Sequence, residues 1–427
     1  MFARPVSSTL LTNPSARRQP SDEVFDPLRF LAHLLSVAWT IVIGTVVLVA
    51  QQPSVRRLDG SKISSSQIDS VVTRFITAAR VTGAGIAIWN DDRVVYLKAY
   101  GVRDMERQLP LTPDSVMTAA SLTKPAFATM VMQLVEERII ALDKPVYEYL
   151  PKPLPEYEAY KDLADDPRYK QITMRMLLAH TSGFPNWRWA MDDKKLRIHF
   201  TPGSRFAYSG EGIDLAQMVV EAVTKKSINE LMNERIFQPL GMVRTAMISE
   251  QRFEDDQANR YDEQEKALGL EQRRKGDAAG SMQTTLRDYA RFVEAVLSAA
   301  ILDQKDRELM LSPQIQIMSK REFPSLSSET TTDNQAIHLS YGLGWGLYWT
   351  PYGKAFFKEG HDEGWRHYVV CFDQPKAAML IMTNSSNGED IYGGLLERLL
   401  GDAFTPLEWE GFKPLAGVGP DHPNVRE

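Results

Sequence analysis

Cysteine is nearly absent: Cys371 is the only one in 427 residues. That excludes an intramolecular disulfide and leaves the redox compartment unmarked by cysteine usage. Cys371 lies in "RHYVVCFD", an apolar run of strand character with no partner for a nucleophile nearby, and it reads as a buried core thiol. The chain also lacks a basic excess. Lys and Arg number 49 against 55 Asp and Glu, a formal net charge of -6, so there is no phosphate-neutralising footprint and no nucleic-acid partner is expected. Missing too are G-x-x-x-x-G-K-[ST], helical H-E-x-x-H and G-x-S-x-G, which removes support for P-loop nucleotide hydrolysis, a helical zinc site and a nucleophile elbow. Without an elbow, His180 in "LLAHTSG" reads as a structural histidine ending a helix near a cleft. In "HDEGWRH", taken to follow a strand, His361 and His367 fall on one face and Asp362 on the other, so neither metal nor cofactor is expected.

Long apolar stretches are few, but one stands out. From Phe30 to Ala50 there is no Asp, Glu, Lys or Arg, and at about 1.5 Å per residue the run gives about 30 Å of helix, enough to span a bilayer. It reads as a membrane anchor, with a cleaved signal peptide as the alternative, since Ala50 is small but Leu48 is bulky for a cleavage site. Arg4, Arg17, Arg18 and Arg29 precede it, which predicts a cytoplasmic N-terminus and export of the rest to the periplasmic or extracellular side. The expected organisation is residues 1–29 as a cytoplasmic or n-region segment, 30–50 as the apolar segment, 51–65 as a linker, 66–402 as one domain and 403–427 as an irregular tail.

Within the domain, periodicity predicts a helix in "QIDSVVTRFITAAR", then strands "GAGIAIWN" and "RVVYLKAYG" joined at Asp91-Asp92. Helical patterns fill the middle, from Ala119 to about Val223. Strands return in "YGLGWGLYW", "KAFFKEG", "RHYVVCFD" and "KAAMLIMTN", before a closing helix at "GGLLERLLGD". Strands at both ends predict an α+β fold: an antiparallel sheet flanked by helices and completed by both chain ends, with an inserted, mainly helical subdomain and a cleft between the parts. Trp345 and Trp365 read as core or cleft-wall aromatics.

The chemistry begins at "AASLTKPAFATMVMQLVEE". Ser121 and Lys124, three apart at a helix start, share a face, and a serine hydroxyl needs a neighbouring base such as a desolvated lysine to become a nucleophile. Alone, S-x-x-K is weak. "FAYSGEG" adds Tyr208, and "KAFFKEGHDEGW" adds Lys358, Glu359 and Gly360 at a strand end. Together these resemble the S-x-x-K, Y-x-N and K-T-G elements of the serine β-lactamase and penicillin-binding-protein superfamily, most closely its class C β-lactamase, esterase and D-aminopeptidase-like branch. "MRMLLAHTSGFP", "DAAGSMQTTLRDYARF" and "YGLGWGL" follow the same family's order, so the resemblance covers roughly Ser66 to Asp402.

The resemblance implies that Ser121 is the acylated nucleophile, with Lys124 and Tyr208 as its base network and either one as the general base. Lys358 would lie near Tyr208. The backbone N–H groups of Ser121 and His361 would form the oxyanion hole, and Gly210, Glu359 and Gly360 would line the substrate site. Two departures matter: Gly210 stands where Y-x-N has a carboxamide, and Glu359 stands at the middle of K-T-G, leaving a register that begins at His361 as an alternative. The implied enzyme is a serine hydrolase of a small ester or amide. A cell-wall D,D-peptidase, a β-lactam-binding or hydrolysing protein and a non-catalytic binding relative remain alternatives.

Overall fold

The structure, a computed structural model, describes residues 54–413 and Leu415. Its centre is a nine-stranded antiparallel sheet. In chain order the strands are β1 (Gly83–Asn90), β2 (Arg93–Asp104), β3 (Leu109–Pro110), β4 (Ile315–Gln316), β5 (Ser340–Tyr341), β6 (Gly346–Thr350), β7 (Gly353–Asp362), β8 (Trp365–Phe372) and β9 (Ala377–Thr383). Across the sheet they run β4-β5-β6-β7-β8-β9-β1-β2-β3. The expected closure by both ends is seen where β9 pairs with β1, from Ala378 opposite Trp89 to Thr383 opposite Ala84.

Alternation along β8 shows how the sheet is buried on both faces. Trp365, Val369 and Cys371 join the core beneath the inserted helices, while Tyr368, Val370 and Phe372 join a second core. Helix α1 (Ser65–Ala78) covers that second face with Ile68, Val72, Phe75 and Ile76, and begins at a Ser64–Gln67 capping box. Helix α2 (Thr123–Glu136) is buried nearly all round, as an apolar helix at the middle of a domain must be. Its Pro125 sits in the first turn, where no intrahelical donor is lost. Helices α3 (Met174–Leu178), α4 (Gly210–Thr224) and α5 (Leu286–Leu297) complete the inserted layer used below.

Asp91 and Asp92, at φ 51° and 56°, turn β1 into β2. Positive φ at both central residues is what a tight hairpin with right-handed strand twist requires. Three features differ from the sequence reading. Ser54–Arg56 and Lys62–Ser64, inside the expected linker, pair as a hairpin, and the Arg56 N–H donates to Asn90 at 2.8 Å. The expected irregular tail contains a short helix, Leu407–Glu410, with Trp409 buried. "HDEGWRH" is a hairpin turn rather than one stretch: His361 and Asp362 end β7, while His367 lies in β8. Among the described residues no helix is long and apolar enough to cross a membrane; the run from Phe30 to Ala50 lies outside them.

Candidate active site

Ser121 occupies a 3-10 turn, Ala120–Leu122, that leads directly into α2. The turn is tight: Ala120 has φ +48°, a conformation costing a residue with a Cβ about 1 kcal/mol or more. One helical turn on, Lys124 Nζ donates to Ser121 Oγ at 2.9 Å and to the Ala279 carbonyl at 2.6 Å. Lys124 is 1% exposed. Burial first, then the neighbouring Lys358, brings its pKa down from 10.5 to about 7.

Tyr208 arrives from the segment before α4. Lys124 Nζ lies 5.0 Å and Lys358 Nζ 4.6 Å from its ring centroid. Its hydroxyl is buried and makes no hydrogen bond of ordinary length, although Ser121 lies near enough to act on it. Burial, followed by Glu359, raises the phenol well above its ordinary value, with Ser121 pulling the other way. His180 stacks on Tyr208 with centroids 4.4 Å apart, its Nδ1 accepts the Ser209 N–H at 3.2 Å, and burial lowers its pKa well below 6.5. It is therefore a neutral packing partner of the tyrosine, near the cleft as expected.

Beyond Phe357, the last residue of β7 paired with β6, the strand is hydrogen-bonded within the sheet only to β8. Lys358 and Glu359 sit on that open edge, and Lys358 Nζ contacts the Glu359 carboxylate. A Cβ on Gly360 would lie 2.7 Å from the Ala119 carbonyl and 3.1 Å from Leu122. The glycine thus lets the strand press against the nucleophile's turn, a contact the sequence reading had assigned to substrate. His361 follows at the edge, its Nδ1 3.5 Å from Glu389. His367 is wholly buried, with Nε2 against the Thr118 carbonyl at 2.8 Å and Nδ1 accepting the Thr383 N–H at 3.2 Å. Both its nitrogens are used, so the two histidines do not converge.

Gly210 has a different explanation. A Cβ there would fall 2.4 Å from the Trp187 ring, so the indole occupies the space of the missing carboxamide. Asn186 instead brings a carboxamide to the cleft wall, its Oδ1 accepting the Gly210 N–H at 3.0 Å. Glu211 is engaged elsewhere, with Arg188 at 2.5 Å.

Ser121, Lys124, Tyr208, Glu359 and His361 line a single cleft of about 900 Å³. Sequence reasoning missed several of its other walls. Trp187 and Trp189 stack there at 6.5 Å, and Phe323 meets the Tyr208 ring edge-on at 5.5 Å. Asp277 Oδ1 accepts the Ala279 N–H at 2.7 Å and so orients the carbonyl that holds Lys124. Burial and Asp277 raise the carboxyl of Asp214 above its ordinary range. Glu322 and Glu410 complete the wall. Among the described residues two groups of carboxylates gather as metal-binding residues do, Glu136–Asp303–Asp306 and Glu322–Glu359–Glu410; in the first, Asp303 already caps the helix Gln304–Met310. Trp345 and Trp365 are core residues, both fully buried.

A half-buried serine hydrogen-bonded to a buried lysine, a tyrosine beneath two lysine side chains and an open strand edge beside the serine thus meet in one cleft, on a sheet flanked by helices. The chain belongs to the beta-lactamase family, whose model matches residues 68–401. Over 216 residues it is 28% identical to esterase EstB of Burkholderia gladioli, covering 44% of this chain and 53% of the esterase. Over 197 residues it is 26% identical to protein flp of Staphylococcus aureus, spanning 43% of this chain and 38% of that protein. The chain thus spans about half the length of the esterase and less of protein flp. In fold it is similar to the octameric penicillin-binding protein homologue from Pyrococcus abyssi, with TM-score 0.64, 24% identity and coverage of 82% of this chain and 79% of that one. It is also similar to the beta-lactamase/D-alanine carboxypeptidase from Pseudomonas syringae, with TM-score 0.63, 18% identity and coverage of 79% and 98%. The esterase and the carboxypeptidase are hydrolases of this family, and the expected α+β architecture is the one seen.

Proposed function

We propose that the protein is a serine hydrolase of a small ester or amide that works through an acyl-enzyme on Ser121. The observation that carries this reading is the 2.9 Å contact between Ser121 Oγ and the buried Lys124 Nζ. A lysine brought down to about 7 is neutral for much of the time at physiological pH and accepts the serine proton; Tyr208, raised well above 10, keeps its own. Ser121 Oγ then attacks the substrate carbonyl, and the N–H groups of Ser121 and His361 receive the oxyanion. As the carbonyl re-forms, the leaving group departs with a proton relayed from Lys124 through Tyr208. Water, giving up a proton to the same pair, releases the acid and restores Ser121. In this reading Lys358 is matched to Glu359 and does not serve to bind a substrate carboxylate.

The catalytic part is proposed to act outside the cytoplasm, with Phe30–Ala50 as membrane anchor or signal segment; the arginines preceding an uncharged run support this. Intact mass after exposure to a fluorophosphonate and, separately, a penicillin tests the chemistry, with Ser121→Ala as control. A Ser121-dependent fluorophosphonate adduct alone is expected. Adducts from both would favour a β-lactam-recognising enzyme, and none from either would sink the hydrolase reading.

A further inference from the structure

Three buried acids in the cleft neither take nor give a proton in that chemistry. Glu322, Glu359 and Glu410 are 3%, 7% and 7% exposed, yet each brings a carboxylate oxygen within 4.8 Å of the others, and all three line the cleft that contains Ser121. They come from separate parts of the chain: the segment after β4, the open edge of β7 and the short helix Leu407–Glu410. Lys358 contacts Glu359. Among the described residues no Lys, Arg or His lies within ion-pair distance of Glu322 or Glu410. Tyr368 donates to Glu410 Oε2 at 2.7 Å, but Glu410 Oε1 is buried with no hydrogen-bond partner.

Leaving a buried acceptor unpaired is costly. Burial, with Glu359 for one and Glu322 for the other as the leading neighbour, raises Glu322 and Glu410 well above the carboxylate range, so an unmatched negative charge on either is disfavoured. The arginines of the cleft wall are already matched, Arg273 with Asp362 at 2.5 Å and Arg366 with Glu389 at 3.0 Å. With Lys358 in contact with Glu359, neither Glu322 nor Glu410 has an ion-pair partner of its own; Lys358 acts on both from a distance, and Lys124 on Glu322, without offsetting their burial.

We propose that Glu322, Glu359 and Glu410 form a subsite for a protonated amine on the substrate, so that the cleft selects cationic esters or amides over neutral and anionic ones. For the turnover of such a substrate this rests on the hydrolase reading above; for its binding it does not. An ammonium group carries three N–H donors, which suits a cluster of carboxylate acceptors, and charge-assisted hydrogen bonds away from water are the strong ones. Entry of the amine supplies the positive charge that favours the ionised forms of Glu322 and Glu410, while a substrate carboxylate brings a further negative charge beside the acids.

The test is calorimetric titration of the full-length protein with hexylammonium, hexanol and hexanoate, matched in chain and different in charge. Hexylammonium is expected to bind at least about tenfold tighter than hexanol, equivalent to about 1.4 kcal/mol, with hexanoate weakest and with protons released to the buffer. Glu322→Gln and Glu410→Gln are each expected to shrink that preference, but the ranking on the unaltered protein decides the matter even if a variant does not fold. Equal or tighter binding of hexanol or hexanoate overturns the proposal. So does binding of calcium or zinc ions without binding of hexylammonium, which would mark an inorganic cation site instead. Because the readout needs no turnover, failed fluorophosphonate labelling sinks only the hydrolase reading, and labelling without a charge preference sinks only the subsite.

Discussion

Replacing Lys124 by methionine separates what the fold gains from what the site needs. Between pH about 7 and 10.5 the unfolded chain holds a proton on Lys124 that the folded protein does not, so this residue makes stability rise with pH across that window and adds a constant deficit below it. At about 1.4 kcal/mol per tenfold change in proton affinity, the deficit at or below neutral pH is on the order of 5 kcal/mol. Methionine removes it but leaves the Ala279 carbonyl, now 2.6 Å from Nζ, without its donor, which costs about 1–3 kcal/mol. Lys124→Met is therefore expected to be more stable than the parent by about 2–4 kcal/mol at pH 6–7 and to lose that advantage by pH 10. Ester turnover is expected to fall by about 100-fold or more. Urea unfolding of both proteins across pH 6–10, with p-nitrophenyl acetate turnover, reads each part. A stability difference that does not change with pH would refute the reasoning, because it would mean that Lys124 is protonated in the folded state.

The same depressed lysine predicts that kcat/KM for a neutral ester rises with pH and levels off above about 7; a profile flat from pH 5 to 9 would count against Lys124 as base. Ser121→Ala is expected to lower turnover by at least about 1,000-fold with an unchanged unfolding midpoint by circular dichroism. Gly210→Asn, which forces a Cβ to within 2.4 Å of Trp187, is expected to cost about 1–3 kcal/mol, and adding Trp187→Ala is expected to recover much of that loss in urea titration. Cys371 is fully buried and its thiol is pushed up by burial, so it is expected to resist a disulfide reagent in the folded protein and react only after denaturation.

What was legible in the sequence was what short-range geometry controls. One helical turn brings Lys124 to Ser121 whatever else the chain does, and an apolar run of strand character put Cys371 in the core. The two strands around Asp91-Asp92 were legible for the same reason. The closure of the sheet by both ends followed from where the strands lie along the chain. The carboxylate cluster was not legible, because Glu322 and Glu410 stand in segments with no period and approach Glu359 only when the tail helix docks. Nor were the reasons for the glycines: Gly360 faces the Ala119 carbonyl and Gly210 faces Trp187, contacts that no local spacing encodes. Asp277 and Asp214 escaped notice because their effect on Lys124 passes through a backbone carbonyl and a shared buried environment rather than through a motif.

The short helix Leu407–Glu410 brings the cleft its last wall, and it does so from near the end of the described chain. During synthesis Ser121, Lys124 and Tyr208 leave the ribosome long before β7, and β7 before Glu410. A nascent chain therefore has its serine and lysine in sequence before either the strand edge or the acids of the cleft wall are made. A chain trimmed at residue 403 as though its tail were dispensable would lose one wall of its cleft along with the buried Trp409.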